Sequence, residues 1–252
     1  MSAKRFAATV MYDGTDFVGS QRQPNGRTVQ QELEIAAAAL FGVPTRVELA
    51  GRTDSGVHAR GQVAALSAET RHDAATVGRA LNANLPADVA VRDVRETVPG
   101  FDPRRWARRR HYRYTIASGD ARDPLSRRTA WHVGGNLDLP LMQSAAAALT
   151  GTRDFIACSG HLEAGRTSVR TVFAAGWRCF GDTLLFDIEA DAFLPQMVRR
   201  LVGAQLQVGR KADALEEFVR LLEGAVPGAL GPTAPPRGLC LERVWYDEGY
   251  TP

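Results

Sequence analysis

Apolar and polar positions alternate in "KRFAATVMYDG", with Phe6, Ala8 and Val10 on one face, which predicts a strand near the N-terminus. In "VQQELEIAAAALFG" the residues Val29, Leu33, Ala36, Ala37 and Leu40 recur at helical spacing. Thr28 and Gln31 form a capping-box pattern at its front, and Gly42 behind it is a stop signal. "RVELA" and "GQVAALSAE" read as strands joined through a turn. Asp73 caps a helix over "AATVGRALNANL", which ends near Pro86, and "DVAVRDVRET" returns as a strand. The order β-α-β-β-α-β is the split-βαβ, or ferredoxin-like, arrangement.

The second half echoes this order with insertions. "RHYRYTIAS" predicts a strand, a loop passes through Trp131, and "LPLMQSAAAALTG" predicts a helix. "SVRTVFAAGWRCF" and "TLLFDIEAD" form a hairpin turning at Gly181 and Asp182. "LPQMVRRLVGAQLQVG" and "ALEEFVRLLEGA" are helical, and "LCLERVWYDE" closes this half as a strand. The Pro- and Gly-rich stretch "PGALGPTAPPRG" reads as a connector. The halves meet near residues 103–106. The expectation is an α+β protein of two domains, 1–104 and 105–252, each a ferredoxin-like antiparallel or mixed sheet flanked by helices.

Composition narrows the class. With 252 residues, 44% hydrophobic and 23% charged, the chain can bury a substantial core. No apolar run approaches the roughly 18 residues of a membrane span. The opening "MSAKRFAATVMYDG" has no signal-peptide core, so a cytoplasmic protein is expected. Cys158, Cys179 and Cys240 are odd in number and far apart, which argues against a disulfide framework and a zinc site and predicts buried, inert thiols. The formal net charge is +3, and Lys4 and Lys211 are the only lysines. Arginine offers a planar fork suited to phosphate and able to stack on bases. In "RRWARRRHYR", residues 104–113, arginines alternate with Trp106, His111 and Tyr112, a mixture suited to looped or single-stranded nucleic acid. A coding bias toward Arg and Ala accounts for the same composition equally well.

The chemistry centres on "AGRTDSGVHARGQV", residues 50–63, where Asp54 sits among Arg52, Thr53, Ser55 and His58 between two glycines. A solvent-facing turn wants Asp and Gly for backbone reasons. A reactive carboxylate wants the same glycines so that a substrate can approach. "YDGTDF" has Met11 where an aspartyl phosphatase has its nucleophile, and "GRTDSG" lacks the G-K-[ST] of a P-loop. No H-x-x-x-H pair or G-x-S-x-G elbow occurs. Metal-independent chemistry through Asp54 remains. Two further elements fit one site with it: Tyr112, and Arg199 among Phe193, Met197, Val198 and Val202 in "DAFLPQMVRRLVG". An arginine on an apolar helix face needs a partner. Asp54 is one candidate, and its pKa would fall beside a guanidinium. Alternatively Arg199 reaches solvent, as Arg200 beside it is expected to. Thr53 and His58 are expected to shape the turn.

The sequence resembles the transfer-RNA pseudouridine synthase A family almost end to end. The likeness is carried by "YDGTDFVGSQRQPNGRTVQQELE", "GRTDSGVHARGQV", "NANLPADVAVRDV", "RRRHYRYTI", "DAFLPQMVRRLVG" and "APPRGLCLERVWY". The resemblance implies two α/β domains with a central active-site cleft and conversion of uridine to pseudouridine at uridines 38 to 40 of the anticodon arm. It implies a homodimer that needs neither metal nor organic cofactor. By motif, Asp54 matches the catalytic aspartate and Arg199 the arginine paired with it. Tyr112 matches the tyrosine packed against the target base, and Arg52 an arginine that holds that nucleotide out of its stack. Arg22, Arg109 and Arg110 are candidate phosphate contacts. The chain departs from the family at Ser20, where G-W-Q is usual, at His111, where another basic residue is usual, and at Asp191, where Asn is common.

This reaction breaks a C1′–N1 bond, turns the uracil and forms a C1′–C5 bond, so the base must first be flipped out of its stack. Three chemistries are open to Asp54: attack on C1′, addition to C6, or removal of a ribose proton toward a glycal. Two other readings use the same residues differently. One is a non-catalytic RNA-binding protein on this fold, which needs the arginines but not Asp54. The other is a synthase acting at other RNA positions.

Overall fold

The computed structural model describes residues 2–159, 165, 167–211, 213–224 and 226–247. Among them the chain forms β1 (Ser2–Tyr12), α1 (Val29–Phe41), β2 (Val47–Leu49), β3 (His58–Thr70), α2 (Ala74–Asn84) and β4 (Val89–Thr97). It continues as β5 (Arg109–Ser118), β6 (Trp131–Val133), α3 (Leu139–Ala147), β7 (Gly151–Asp154), β8 (Val169–Phe180) and β9 (Thr183–Ala190). The last elements are α4 (Met197–Arg210), α5 (Ala214–Glu223) and β10 (Leu239–Trp245). Ala225 and Glu248, where the sequence predicts that the final helix and strand end, lie outside the described residues. The chain divides into two compact units, residues 1–108 with 240–252, and residues 109–239.

In the first unit β1 lies between β3 and β4, antiparallel to both, and β2 runs antiparallel to β3, giving the expected split-βαβ order. Thr28 accepts a hydrogen bond from Gln31 N and Gly42 ends α1 at φ 73°, as the capping pattern predicts. Asp73 caps α2 through Thr76 N. Phe6, Ala8 and Val10 are buried, but so are Ala7 and Thr9: β1 is central and covered on both faces. One edge of β3 serves two strands. β2 pairs opposite residues 64–66, and β10 pairs in parallel opposite His58 and Ala59. The last strand, expected to close the second half, therefore counts with the first unit, where Tyr246 and Phe101 pack edge to face at 5.2 Å.

In the second unit β9 lies between β5 and β8, and β7 pairs with β8, all antiparallel. The hairpin turns at Gly181 (φ 57°), as expected. The segment through Trp131 is not a loop: β6 pairs in parallel with the end of β5, Ile116 opposite Trp131. α4 begins at Met197 rather than Leu194, because Gln196 takes a left-handed φ of 61°. Of the thiols only Cys158 is fully buried, which pushes its pKa up to about 12; Cys240 is half-buried and Cys179 is exposed, against the expectation of three buried thiols. On β9, burial works against the charge of Asp187. Hydrogen bonds from His111 Nε2 (2.6 Å), Arg178 and Arg113 Nε (2.9 Å) outweigh it and hold the carboxyl below the usual range.

Two expectations follow. A Cβ on Gly61 would lie 2.2 Å from the Glu242 carbonyl oxygen, so Gly61→Ala must push β3 and β10 apart. It should lower the unfolding free energy by roughly 1–3 kcal/mol in urea titrations. For Asp187 the folded pKa is depressed, so its contribution is complete above the unfolded carboxylate pKa of about 3.9 and is lost as pH falls below it. Asp187→Asn should therefore flatten the fall of Tm on acidification, and an unchanged acid limb would show that the cluster contributes nothing.

Candidate active site

The turn at residues 50–57 leaves β2 and enters β3, and buried groups hold it along its length. Ala50 N donates to Val63 O at 2.8 Å. The Gln62 side chain bonds Gly51 in both directions, Nε2 to Gly51 O at 2.8 Å and Gly51 N to Oε1 at 3.2 Å. Thr53 N donates to Ser20 Oγ at 2.8 Å, while Ser20 N donates to Thr53 O at 3.2 Å. The Tyr12 hydroxyl lies 2.8 Å from Thr53 Oγ1, and burial pushes that phenol up to about 12, so it stays neutral. Ser20 and Gln62 are both at 0% exposure. On the far side, Ser55 Oγ and Gly56 N donate to Phe17 O at 3.1 and 3.3 Å.

Two glycines make this approach possible. Gly56 takes φ 77° as the turn closes with Val57 N on Asp54 O at 3.2 Å. A Cβ on Gly14 would lie 2.0 Å from Val57 O, so only glycine lets the segment after β1 rest against the turn. Gly14 N donates to His58 Nδ1 at 3.0 Å, and the same ring nitrogen lies 3.2 Å from Asp13 Oδ1, so the imidazole ties the segment after β1 to the start of β3. Thr53 and His58 therefore shape the turn, as expected. Asp54 is half-buried and Arg52 exposed on this frame.

Tyr112 and Arg199 belong to the second unit. The Tyr112 ring is 7% exposed and meets Phe193 edge to face at 5.1 Å. Arg199 Nε donates to Ala234 O at 2.8 Å, and Ala234 N donates back to Arg199 O at 3.0 Å. Arg200 does not reach for solvent as expected: its Nη1 donates to Gly231 O at 3.0 Å and Gly228 O at 3.3 Å. The stretch read as a connector is thus fastened to α4, and a Cβ on Gly203 would lie 2.1 Å from Pro232 O. Asp191 Oδ1 accepts from Ala192 N (2.6 Å) and Thr171 N (3.1 Å). Arg110 bonds Asp191 O at 2.6 Å, Arg109 pairs with Glu189 at 2.8 Å, and Arg22 in the first unit pairs with Glu34 at 2.8 Å. Among the described residues no cluster of three or more His, Cys, Asp or Glu side chains is placed to hold a metal ion, and no helix is long and apolar enough to cross a membrane.

The family model for tRNA pseudouridine synthase matches residues 8–101 and 145–247, which include Arg52, Asp54 and Arg199 and leave Tyr112 outside. The chain is 45% identical to tRNA pseudouridine synthase A of Geobacter sulfurreducens, over 93% of this chain and 96% of that one. It is 43% identical to the synthase of the same name from Chloroflexus aurantiacus, over 98% of this chain and 90% of that one. A third, from Myxococcus xanthus, is 40% identical over 97% and 93%. The chain belongs to the tRNA pseudouridine synthase family. It is an isomerase that converts uridine to pseudouridine in tRNA.

Sequence reasoning missed the supports of the turn. Ser20, Tyr12 and Gln62 carry no spacing signal, and Ser20 stood out only as a departure from the family pattern. Ser20→Ala removes the acceptor of a buried backbone N–H and should cost about 1–3 kcal/mol of stability, read from denaturant midpoints. A midpoint equal to wild type would mean that water or a shifted backbone replaces Ser20 Oγ.

Proposed function

We propose that this isomerase acts on the anticodon arm, at uridines 38 to 40, in the cytoplasm and as a homodimer, with Asp54 as the reacting carboxylate. The observation that carries the role of Asp54 is its setting: a half-buried acid on a turn held by Gly51, Thr53, Ser55 and Gly56 against buried partners. A carboxylate on so constrained a backbone meets its target with little reorganisation. Tyr112, flat and amphipathic, stacks on the detached uracil and keeps it from escaping. Arg199 is the arginine paired with the reacting carboxylate, and Arg52 holds the target nucleotide out of its stack. Arg22, Arg109 and Arg110 make further contacts to phosphates of the RNA. The chemistry uses these side chains and no cofactor. Flipping the base costs a few kcal/mol, which contacts to the flanking RNA offset.

Carbodiimide-dependent primer extension on treated tRNA tests the reading. Wild-type protein should produce new stops at anticodon-arm uridines, and Asp54→Asn should produce none while still binding the RNA. Stops elsewhere in the tRNA would overturn the anticodon assignment, and stops that persist with Asp54→Asn would overturn the role of Asp54.

A further inference from the structure

We infer that a groove in the first unit, next to the Asp54 turn, holds backbone phosphates of the RNA strand beside the target nucleotide. The inference rests on the proposed role of Arg52 and Asp54. The groove has a volume of about 310 Å³ and is bounded by Gln30, by β2 with the preceding Arg46, by Gly51 and Arg52, and by the segment carrying Asp102, Arg104 and Arg105. Four arginines line it, and guanidinium forks suit the paired oxygens of a phosphodiester. Arg52 belongs both to this groove and to the turn that carries Asp54, so RNA held here lies next to the reacting carboxylate.

The two acids in the wall are engaged within the protein. Glu48 pairs with Arg5. Asp102 Oδ1 accepts from the backbone N–H groups of Arg104 and Arg105, both at 2.9 Å, and its other oxygen lies 3.6 Å from Arg105 Nε. Arginine therefore dominates the field that a ligand would meet. The 102–105 turn is also fixed in place. Fully buried Phe101 precedes it, and its carbonyl oxygen accepts from Arg5 Nε at 2.7 Å, while Tyr246 donates its hydroxyl to Pro103 O at 2.7 Å. The opposite wall is fixed as well: Gln30 Nε2 donates to Val47 O at 2.8 Å, and Gln62 holds Gly51. Exposed arginines on rigid walls can grip a backbone without reading sequence, which is what a strand beside a flipped nucleotide requires.

The test is the salt dependence of binding to an RNA hairpin with the sequence of a tRNA anticodon arm, measured by fluorescence anisotropy. Arg46→Ala combined with Arg105→Ala should weaken binding several-fold. The slope of log Kd against log salt should flatten by about 0.7–0.9 for each phosphate that is no longer neutralised. Arg79→Ala, on the exposed face of α2, should keep the wild-type slope, and Arg46→Lys with Arg105→Lys should recover most of it. A wild-type slope in the double alanine variant would overturn the inference. So would an equal weakening in the lysine variant, which would make the effect one of structure rather than charge. Because binding alone is read, failure of the wild type to modify the anticodon arm would overturn the proposed target without altering this result.

Discussion

The backbone N–H of Thr53 is buried beneath the residue proposed to react, and a buried donor must find an acceptor. Ser20 Oγ is that acceptor, at 2.8 Å, and Ser20 returns a bond to Thr53 O. Much of the first unit is arranged around this exchange. Gly19, at φ 126°, suits this close approach: a Cβ there would lie 3.1 Å from the Thr53 carbonyl oxygen. Tyr12 reaches the same threonine from the end of β1, and Gln62 reaches Gly51 from within β3. A reactive residue on a loop is as well placed as the scaffold beneath it, and here two central strands and the segment between them supply that scaffold.

The second unit solves a similar problem differently. Most of α4 is buried, yet it carries Arg199 and Arg200 side by side. Arg199 Nε and Arg200 Nη1 donate to carbonyls of the 228–234 segment. That segment is held in turn by the Tyr114 hydroxyl on Pro235 O at 2.7 Å. Burial raises the Tyr114 pKa well above the ordinary phenol value, so the group remains a hydrogen-bond donor. A stretch rich in Pro and Gly thus serves as the wall that orients two guanidinium groups. Proline, with no N–H to satisfy, and glycine, which admits close contact, are suited to such a wall.

Local signals in the sequence were legible wherever local physics decides. Thr28, Gly42 and Asp73 mark helix ends by hydrogen bonds within three or four residues, and Gly181 marks a turn by its backbone freedom. β6 and β7 were not legible. β2 is as short, but it leads into the conspicuous Asp54 turn; β6 and β7 have no such neighbour, and their pairing with β5 and β8 is decided by distant chain. Asp54 stood out because its neighbours are unusual. Its supports did not, because a buried serine hydroxyl bonding a backbone N–H across thirty-three positions leaves no pattern in sequence. Arg200 escapes notice for the same reason: its Nη1 donates to backbone carbonyls, which any residue provides.

The arginines show why composition alone cannot measure RNA affinity. Arg27 is bidentate to Asp88, bonds Glu32 and lies 4.3 Å from the Phe17 ring centroid; it fastens the segment that carries Ser20. Arg5 bonds Glu48, Ser67 and Phe101 O. Arg113 and Arg178 are engaged with Asp187. Moving any of these to a phosphate would leave an acid or a carbonyl without its partner, so the gain would be offset by desolvation already suffered. Arg46 and Arg105 differ, since they are exposed on fixed walls and lose little by meeting a phosphate. Counterion release follows the arginines that engage phosphate, not the total. A chain with a formal charge of only +3 can grip RNA firmly if most of its arginines build the scaffold and a few of them are presented together.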